Sequence, residues 1–205
     1  MNKIATGKIE KGLIDLDYPL EKNIKNLAEF KNKHLSSITV CVLDRPRHKE
    51  IINKLSQLKV NIKLITDGDV LGALYVSDPK YDVDMFLGVG GGPEGVLAAA
   101  ALSCLGGQMQ TRLLFQNDKE KIKSKSLGIK DLNKKYNILD MVGGDVIFCA
   151  SGVTNGDLVK GIIDRNDSFE SETYVLHKSS KTKKKIVHIL SLIHISEPTR
   201  RTPIS

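Results

Sequence analysis

ITVCVLDRPRHKEIINKLSQLKVNIKLIT, residues 38–66, changes its periodicity twice, and those changes decide the fold. Ile38 to Asp44 is a continuous run rich in β-branched residues, the pattern of a strand covered on both faces. In the next segment Ile51, Ile52, Leu55 and Leu58 share one helical stripe, and NIKLIT, Asn61 to Thr66, reads as the following strand. Strand, helix and strand joined by short links predict a parallel pair with a right-handed crossover. Upstream, Leu20, Ile24, Leu27 and Ala28 predict an amphipathic helix after Pro19 that covers one face of the sheet. Downstream, DGDVLGALY reads as a turn and short helix, and DVDMFLGVG as a buried strand. PEGVLAAAALSCLGG reads as a helix closed by Gly106 and Gly107. This alternation predicts an α/β fold, a layered sheet-and-helix sandwich.

Beyond Arg112 the pattern weakens. NDKEKIKSKSLGIKDLNKKY predicts a charged helix and surface loop, and GGDVIFCASGVTNGDLVKGI repeats the order strand, glycine turn, helix. ETYVLHKSS and KKKIVHIL predict a terminal hairpin. Residues 1–190 are expected to form one body, with 191–205 an unrelated or disordered tail resembling translated adapter sequence, since SLIHISEPTRRTPIS has no periodicity.

With 205 residues, 40% of them hydrophobic and 27% charged, the chain can bury a core. No stretch reaches the roughly 18 uninterrupted apolar residues of a membrane helix. The lysine-bearing amino end has no apolar run behind it, so a secretory signal is not expected and the cytoplasm is. Cys41, Cys104 and Cys149 lack metal-ligand spacing and lie in apolar stretches, which predicts three buried, reduced thiols. Much of the net charge of +7 comes from KSSKTKKK near Lys178 to Lys185 and from Arg200 and Arg201. Without interleaved aromatics, that is a solvated basic segment and no nucleic-acid partner is expected. No Ser/His/Asp or Cys/His set emerges from the scattered histidines.

Three predicted strands end in short polar loops: LDRPRH, ITDGDV and GVGGGPEG. Parallel strands share one carboxyl edge, so the three loops are expected to converge on one crevice. Arg45 and Arg47 flank Pro46, which stiffens the turn and can aim two planar guanidinium groups at one anion. Pairing with Asp44 or a surface carboxylate explains them as well. Asp67 and Asp69 bracket Gly68 and can reach sugar hydroxyls or a cation, although an Asp-Gly turn with Asp69 as a helix cap is commonplace. Gly90 to Gly92 lead into Pro93 and Glu94, a glycine loop opening a helix whose exposed amides can cradle an anion. An acid at Glu94 makes sense there if a divalent cation bridges it to a phosphate. GVTNGD, Gly152 to Asp157, is either another phosphate loop or an ordinary turn.

Taken in order, VCVLDRPRHKEII, IKLITDGDV, LGVGGGPEGVLAAAALSCLGGQMQTRL and SGVTNGDLVKGI resemble the class II fructose-1,6-bisphosphatases of bacteria, which are similar to the lithium-sensitive, metal-dependent phosphatases. The resemblance runs from Met1 to about Leu190 and begins inside the family's pattern, so Met1 is expected to be an internal methionine. It implies manganese- or magnesium-dependent hydrolysis of the 1-phosphate of fructose 1,6-bisphosphate in gluconeogenesis. It also implies a cytoplasmic homo-oligomer, dimer or tetramer. Sedoheptulose 1,7-bisphosphate is a related substrate that the same clamps could accept. Carried over, Arg45, Pro46 and Arg47 match the loop gripping substrate phosphate, and Asp67, Gly68 and Asp69 match the loop contacting the sugar. Gly91 matches a substrate-contacting glycine and Glu94 a metal-ligand carboxylate. The family's GGAPEG is GGGPEG here, giving the loop more expected backbone freedom. Its upstream metal carboxylates and the Asp-Gly-Thr type segment have no counterpart, so no catalytic residue is identifiable in this chain. Taken alone the chain is expected to be inactive, a non-catalytic sugar-phosphate-binding fragment or one without a stable fold.

Overall fold

The computed structural model describes residues 1–191; of the tail expected at 191–205, Ser191 is the last residue of a strand and 192–205 lie outside the described residues. The chain divides into two units, Met1–Val146 and a second beginning at Ile147.

The first unit contains β1 (Asn2–Thr6), α1 (Leu20–Lys31), β2 (Thr39–Leu43), α2 (Lys49–Gln57), β3 (Asn61–Ile65), α3 (Asp69–Tyr75), β4 (Met85–Val89), α4 (Gly92–Leu105), β5 (Gln108–Arg112), α5 (Asp118–Ser126), β6 (Lys135–Asn137) and α6 (Ile138–Met141). Its six strands form one mixed sheet in the order β3-β2-β4-β1-β5-β6. β2 pairs in parallel with both β3 and β4, while β1 runs antiparallel to β4 and β5. The period of two along β2 sends Val40 and Val42 into one core and Cys41 and Leu43 into the other. Ile24, Leu27 and Ala28 of α1 and Leu55 of α2 fill the first core. Ala73 and Tyr75 of α3 and Ala98, Ala99 and Leu102 of α4 fill the second. The unit is therefore α/β with helices on both faces, as the alternation predicts.

The core-facing stripe of α2 is narrow. Of the four apolar residues predicted on the α2 stripe, Leu55 alone is fully buried; Ile51, Ile52 and Leu58 pack partly covered against the same core. Burying a leucine of this kind contributes about 1.5–3 kcal/mol. α4 ends at Gly106, whose φ of +74° is the left-handed closure expected of a glycine there. β3 is more exposed than its apolar sequence suggests because it is the sheet's edge.

Asp84 ties the first layer together from just before β4. Its side chain, 3% exposed, accepts hydrogen bonds from Lys31, Lys33 and the Thr39 amide. Burial opposes its ionisation, but these donors outweigh burial and hold the carboxyl below the usual carboxylate range. The stability it confers is therefore present above the unfolded value of about 3.9 and lost as pH falls through the lower folded value. Asp84→Ala is expected to cost about 2–4 kcal/mol by leaving the Thr39 amide and Lys31 without this acceptor and Lys33 with Asp82 alone. Urea unfolding at pH 7 measures the loss, and at pH 2 the gap between variant and parent should shrink.

The second unit consists of β7 (Ile147–Ser151), β8 (Ile163–Asp164), β9 (Ser168–His177) and β10 (Thr182–Ser191), all antiparallel, in the order β10-β9-β7 with β8 on β9. The expected terminal hairpin is β9 and β10. The helix expected after SGVTNGD does not form. Instead Asn155 Oδ1 accepts the Gly161 amide at 3.0 Å, and Ile162 N–H donates to Val153 O at 3.2 Å, closing the segment into turns. The Asn-Gly pair prevails over the short apolar run behind it. The cysteines also depart from expectation. Cys41 is buried and its thiol is pushed up to about 12 by burial, but Cys104 is half-buried and Cys149 exposed on β7.

No helix among the described residues is long and apolar enough to cross a membrane.

Candidate functional site

The carboxyl ends of β2, β3 and β4 do share one edge, because all three strands run parallel. Their loops are tied to one another through the end of β4. A single 3₁₀ turn, Pro46–His48, follows β2, with Pro46 in its first position. From it Arg47 Nε donates to Val89 O at 2.7 Å. His48, fully buried, bonds through Nδ1 to Leu43 O at 2.8 Å and through Nε2 to the Val89 amide at 2.8 Å. A carbonyl only accepts, so Nδ1 carries the proton and Nε2 is the acceptor, which assigns the neutral tautomer. The arginine loop is thereby fastened to both backbone groups of Val89.

Pairing with a carboxylate does not explain the arginines. Among the described residues Arg45 Nη1 contacts only the Asp44 carbonyl, at 3.5 Å, and Arg47 bonds only through its Nε, so most of its fork remains for an external anion. Capping does not explain Asp69 either. The α3 N-cap is Gly68, at φ +88°, and no side chain caps this helix. Gly68 provides the left-handed turn that an L side chain resists, while Asp69 forms an ion pair with Lys3 through Oδ2. Asp69 Oδ1 is buried and has no hydrogen-bond partner among the described residues. Asp67 is exposed and accepts the Gly68 amide.

The glycine loop runs directly over this pair. A Cβ built at Gly90 would lie 2.5 Å from Asp69 Oδ2 and 3.0 Å from Lys3 Nζ, and one at Gly91 would collide with the Glu94 carboxylate. Gly91 is the N-cap of α4 in an extended conformation, Pro93 lies in the first turn, and Glu94 is exposed beside the amide end. Close approach, not positive φ, explains Gly90; at Gly91 the atoms met belong to the exposed end of Glu94, which can turn aside. Gly92 has neither constraint: its φ is unexceptional and a Cβ there meets nothing within 4 Å. The extra backbone freedom expected of GGGPEG is thus not used at the third glycine. Gly92→Ala is expected to stabilise the fold by about 0.4–1 kcal/mol through the unfolded chain, with substrate affinity unchanged; a thermal melt paired with a binding titration checks both.

The residues do not complete a metal site by themselves. Among the described residues no group of three or more His, Cys, Asp or Glu side chains is placed to hold an ion, and Glu94 offers one carboxylate. A cavity of about 590 Å³ lies elsewhere, lined by residues such as Gln108, Gln110, Asn137 and Asp140 from β5 to α6.

Two residues of the edge escape a reading of the sequence. His48 lies three, four and seven residues before Ile51, Ile52 and Leu55, so its place on their inward stripe was the available signal. Lys3 arrives because β1 is antiparallel, with Lys3 opposite Gly88. A five-residue strand with a lysine among its buried positions gives little sign of that.

The fold and this edge define an α/β protein that carries two arginines, the amide end of α4 and several carboxylates on the loops at one strand edge. The family is shown by comparison: the model of the bacterial, glpX-encoded fructose-1,6-bisphosphatases matches residues 1–190, and the chain belongs to that family. It is 39% identical to the class 2 fructose-1,6-bisphosphatase of Haemophilus influenzae over 92% of this chain and 61% of that protein. It is 34% identical to a class 2 D-fructose 1,6-bisphosphatase/sedoheptulose 1,7-bisphosphatase of a Synechococcus strain, over 96% of this chain and 59% of that one. The chain spans about three fifths of the length of these curated relatives.

Proposed function

We propose that the full-length protein hydrolyses the 1-phosphate of fructose 1,6-bisphosphate, giving fructose 6-phosphate for gluconeogenesis, with manganese or magnesium. The observation that supports this most is the convergence of the arginine, aspartate and glycine loops on one strand edge in a chain of this family. Arg45 and Arg47, with Pro46 fixing the turn, grip a phosphate as planar donors. Asp67 and Asp69, spaced by Gly68, accept hydrogen bonds from sugar hydroxyls, and Gly91 lets the substrate approach the backbone. Glu94 is one ligand of the divalent ion, which supplies charge neutralisation and an activated water in such chemistry. One carboxylate cannot fix an ion, so the remaining ligands come from sequence outside this chain, and the chain by itself binds sugar phosphates without turning them over. The complete enzyme is proposed to be a cytoplasmic homo-oligomer, dimer or tetramer.

A manganese-dependent phosphate-release assay on the full-length protein tests the reading, with no release from fructose 1,6-bisphosphate refuting it. Sedoheptulose 1,7-bisphosphate belongs in the same assay because relatives from two Synechococcus strains carry both activities in their names.

A further inference from the structure

We propose that Lys3 is a positioning residue for sugar recognition: it holds Asp69 Oδ2 so that Asp69 Oδ1 is presented to a hydroxyl of the bound sugar. The inference rests on the proposed function and adds to it a residue that the arginine, aspartate and glycine motifs do not contain.

The Lys3 side chain is 1% exposed and that of Asp69 13%, so the pair is largely withdrawn from water. Burying two charges costs desolvation that their attraction repays only when further hydrogen bonds satisfy the remaining valences. One valence is left open: Asp69 Oδ1 is buried and has no partner among the described residues. A carboxylate oxygen accepts, so its missing partner is a donor. Because the Lys3 ammonium already neutralises Asp69, and a cation at Oδ1 would sit beside that ammonium, a neutral hydroxyl suits the position better than a metal ion. The pair is also confined. Gly90 lies directly against both groups, and a Cβ at Gly95 would come within 3.3 Å of Lys3 Cε, so the aim of Oδ1 is set by packing as well as charge.

The test compares wild-type, Lys3→Met and Lys3→Met/Asp69→Asn forms of the full-length protein by calorimetric titration with fructose 6-phosphate and with inorganic phosphate, alongside thermal melts. Lys3→Met should weaken fructose 6-phosphate by about tenfold or more, the scale of one charge-assisted hydrogen bond, while phosphate affinity stays within about twofold. The double variant, with a neutral pair in place of the buried charges, should recover the melting temperature but not the sugar affinity. Parallel loss of both ligands in Lys3→Met, or recovery of sugar affinity together with stability in the double variant, would overturn the proposal. Hydrolysis by the wild type decides the functional reading separately: turnover with parallel losses removes only Lys3's role.

Discussion

Glu94→Gln in the full-length enzyme is expected to raise the manganese concentration needed for half-maximal activity by about a hundredfold or more, at or above the upper end of the 10- to 100-fold typical of losing a metal's outer-shell partner. Arg47→Ala should leave that concentration nearly unchanged and instead raise KM about 10- to 100-fold, the equivalent of about 1.5–3 kcal/mol for charge-assisted bonds to phosphate. The two residues are separable because their surroundings differ. Glu94 is an exposed carboxylate on the first turn of α4, where nothing described bonds to it beyond its approach to Gly91, so its removal disturbs no packing. Arg47 is anchored by one nitrogen to Val89 O and keeps the rest of its fork for an anion. Arg47→Lys should remain impaired, since an ammonium offers no planar pair of donors. Metal titrations of initial rate across all three variants make the comparison, and equal metal dependence in Glu94→Gln and Arg47→Ala would contradict the assignment of Glu94.

The parallel half of the sheet was legible because each of its strands and helices announces itself by period. Thr39–Leu43 is apolar on both faces, and the Ile51 to Leu58 stripe and the glycine-closed α4 follow helical spacing. The site was legible as three loops, since carboxyl ends of parallel strands must share an edge. What remained hidden depends on contacts across the sequence. β1 is short and antiparallel, and its place between β4 and β5 follows from tertiary pairing that no local pattern encodes. Lys3, Asp69 and Gly90 lie far apart in the chain and become one cluster only through that strand. The segment after β7 failed in the opposite way. A strand, glycine and apolar run reads like a further crossover, but in an antiparallel sheet no helix is needed to reverse the chain, and hydrogen bonds from the Gly161 and Ile162 amides to Asn155 Oδ1 and Val153 O close the loop instead.

His48→Ala should cost about 3 kcal/mol or more of folding stability, although the residue touches no proposed substrate group. Replacing the imidazole opens a cavity in a fully buried position and leaves the Leu43 carbonyl without its His48 donor and the Val89 amide without its acceptor. An unmade buried hydrogen bond costs about 1–3 kcal/mol on its own account, and the cavity adds to it. The effect should extend to binding. His48 and Arg47 are neighbours that grip opposite backbone groups of the same residue, so losing His48 frees the 3₁₀ turn on which Arg45 and Arg47 are mounted. Phosphate affinity should then fall even at temperatures where the variant is fully folded, whereas Asp84→Ala, which weakens the sheet away from the loops, should leave affinity of the folded form intact. Urea unfolding of the full-length protein gives the first quantity and phosphate titration in the absence of denaturant the second. A His48→Ala variant losing less than about 1 kcal/mol would mean that water replaces the imidazole at both backbone groups, and the arginine turn would then need another anchor.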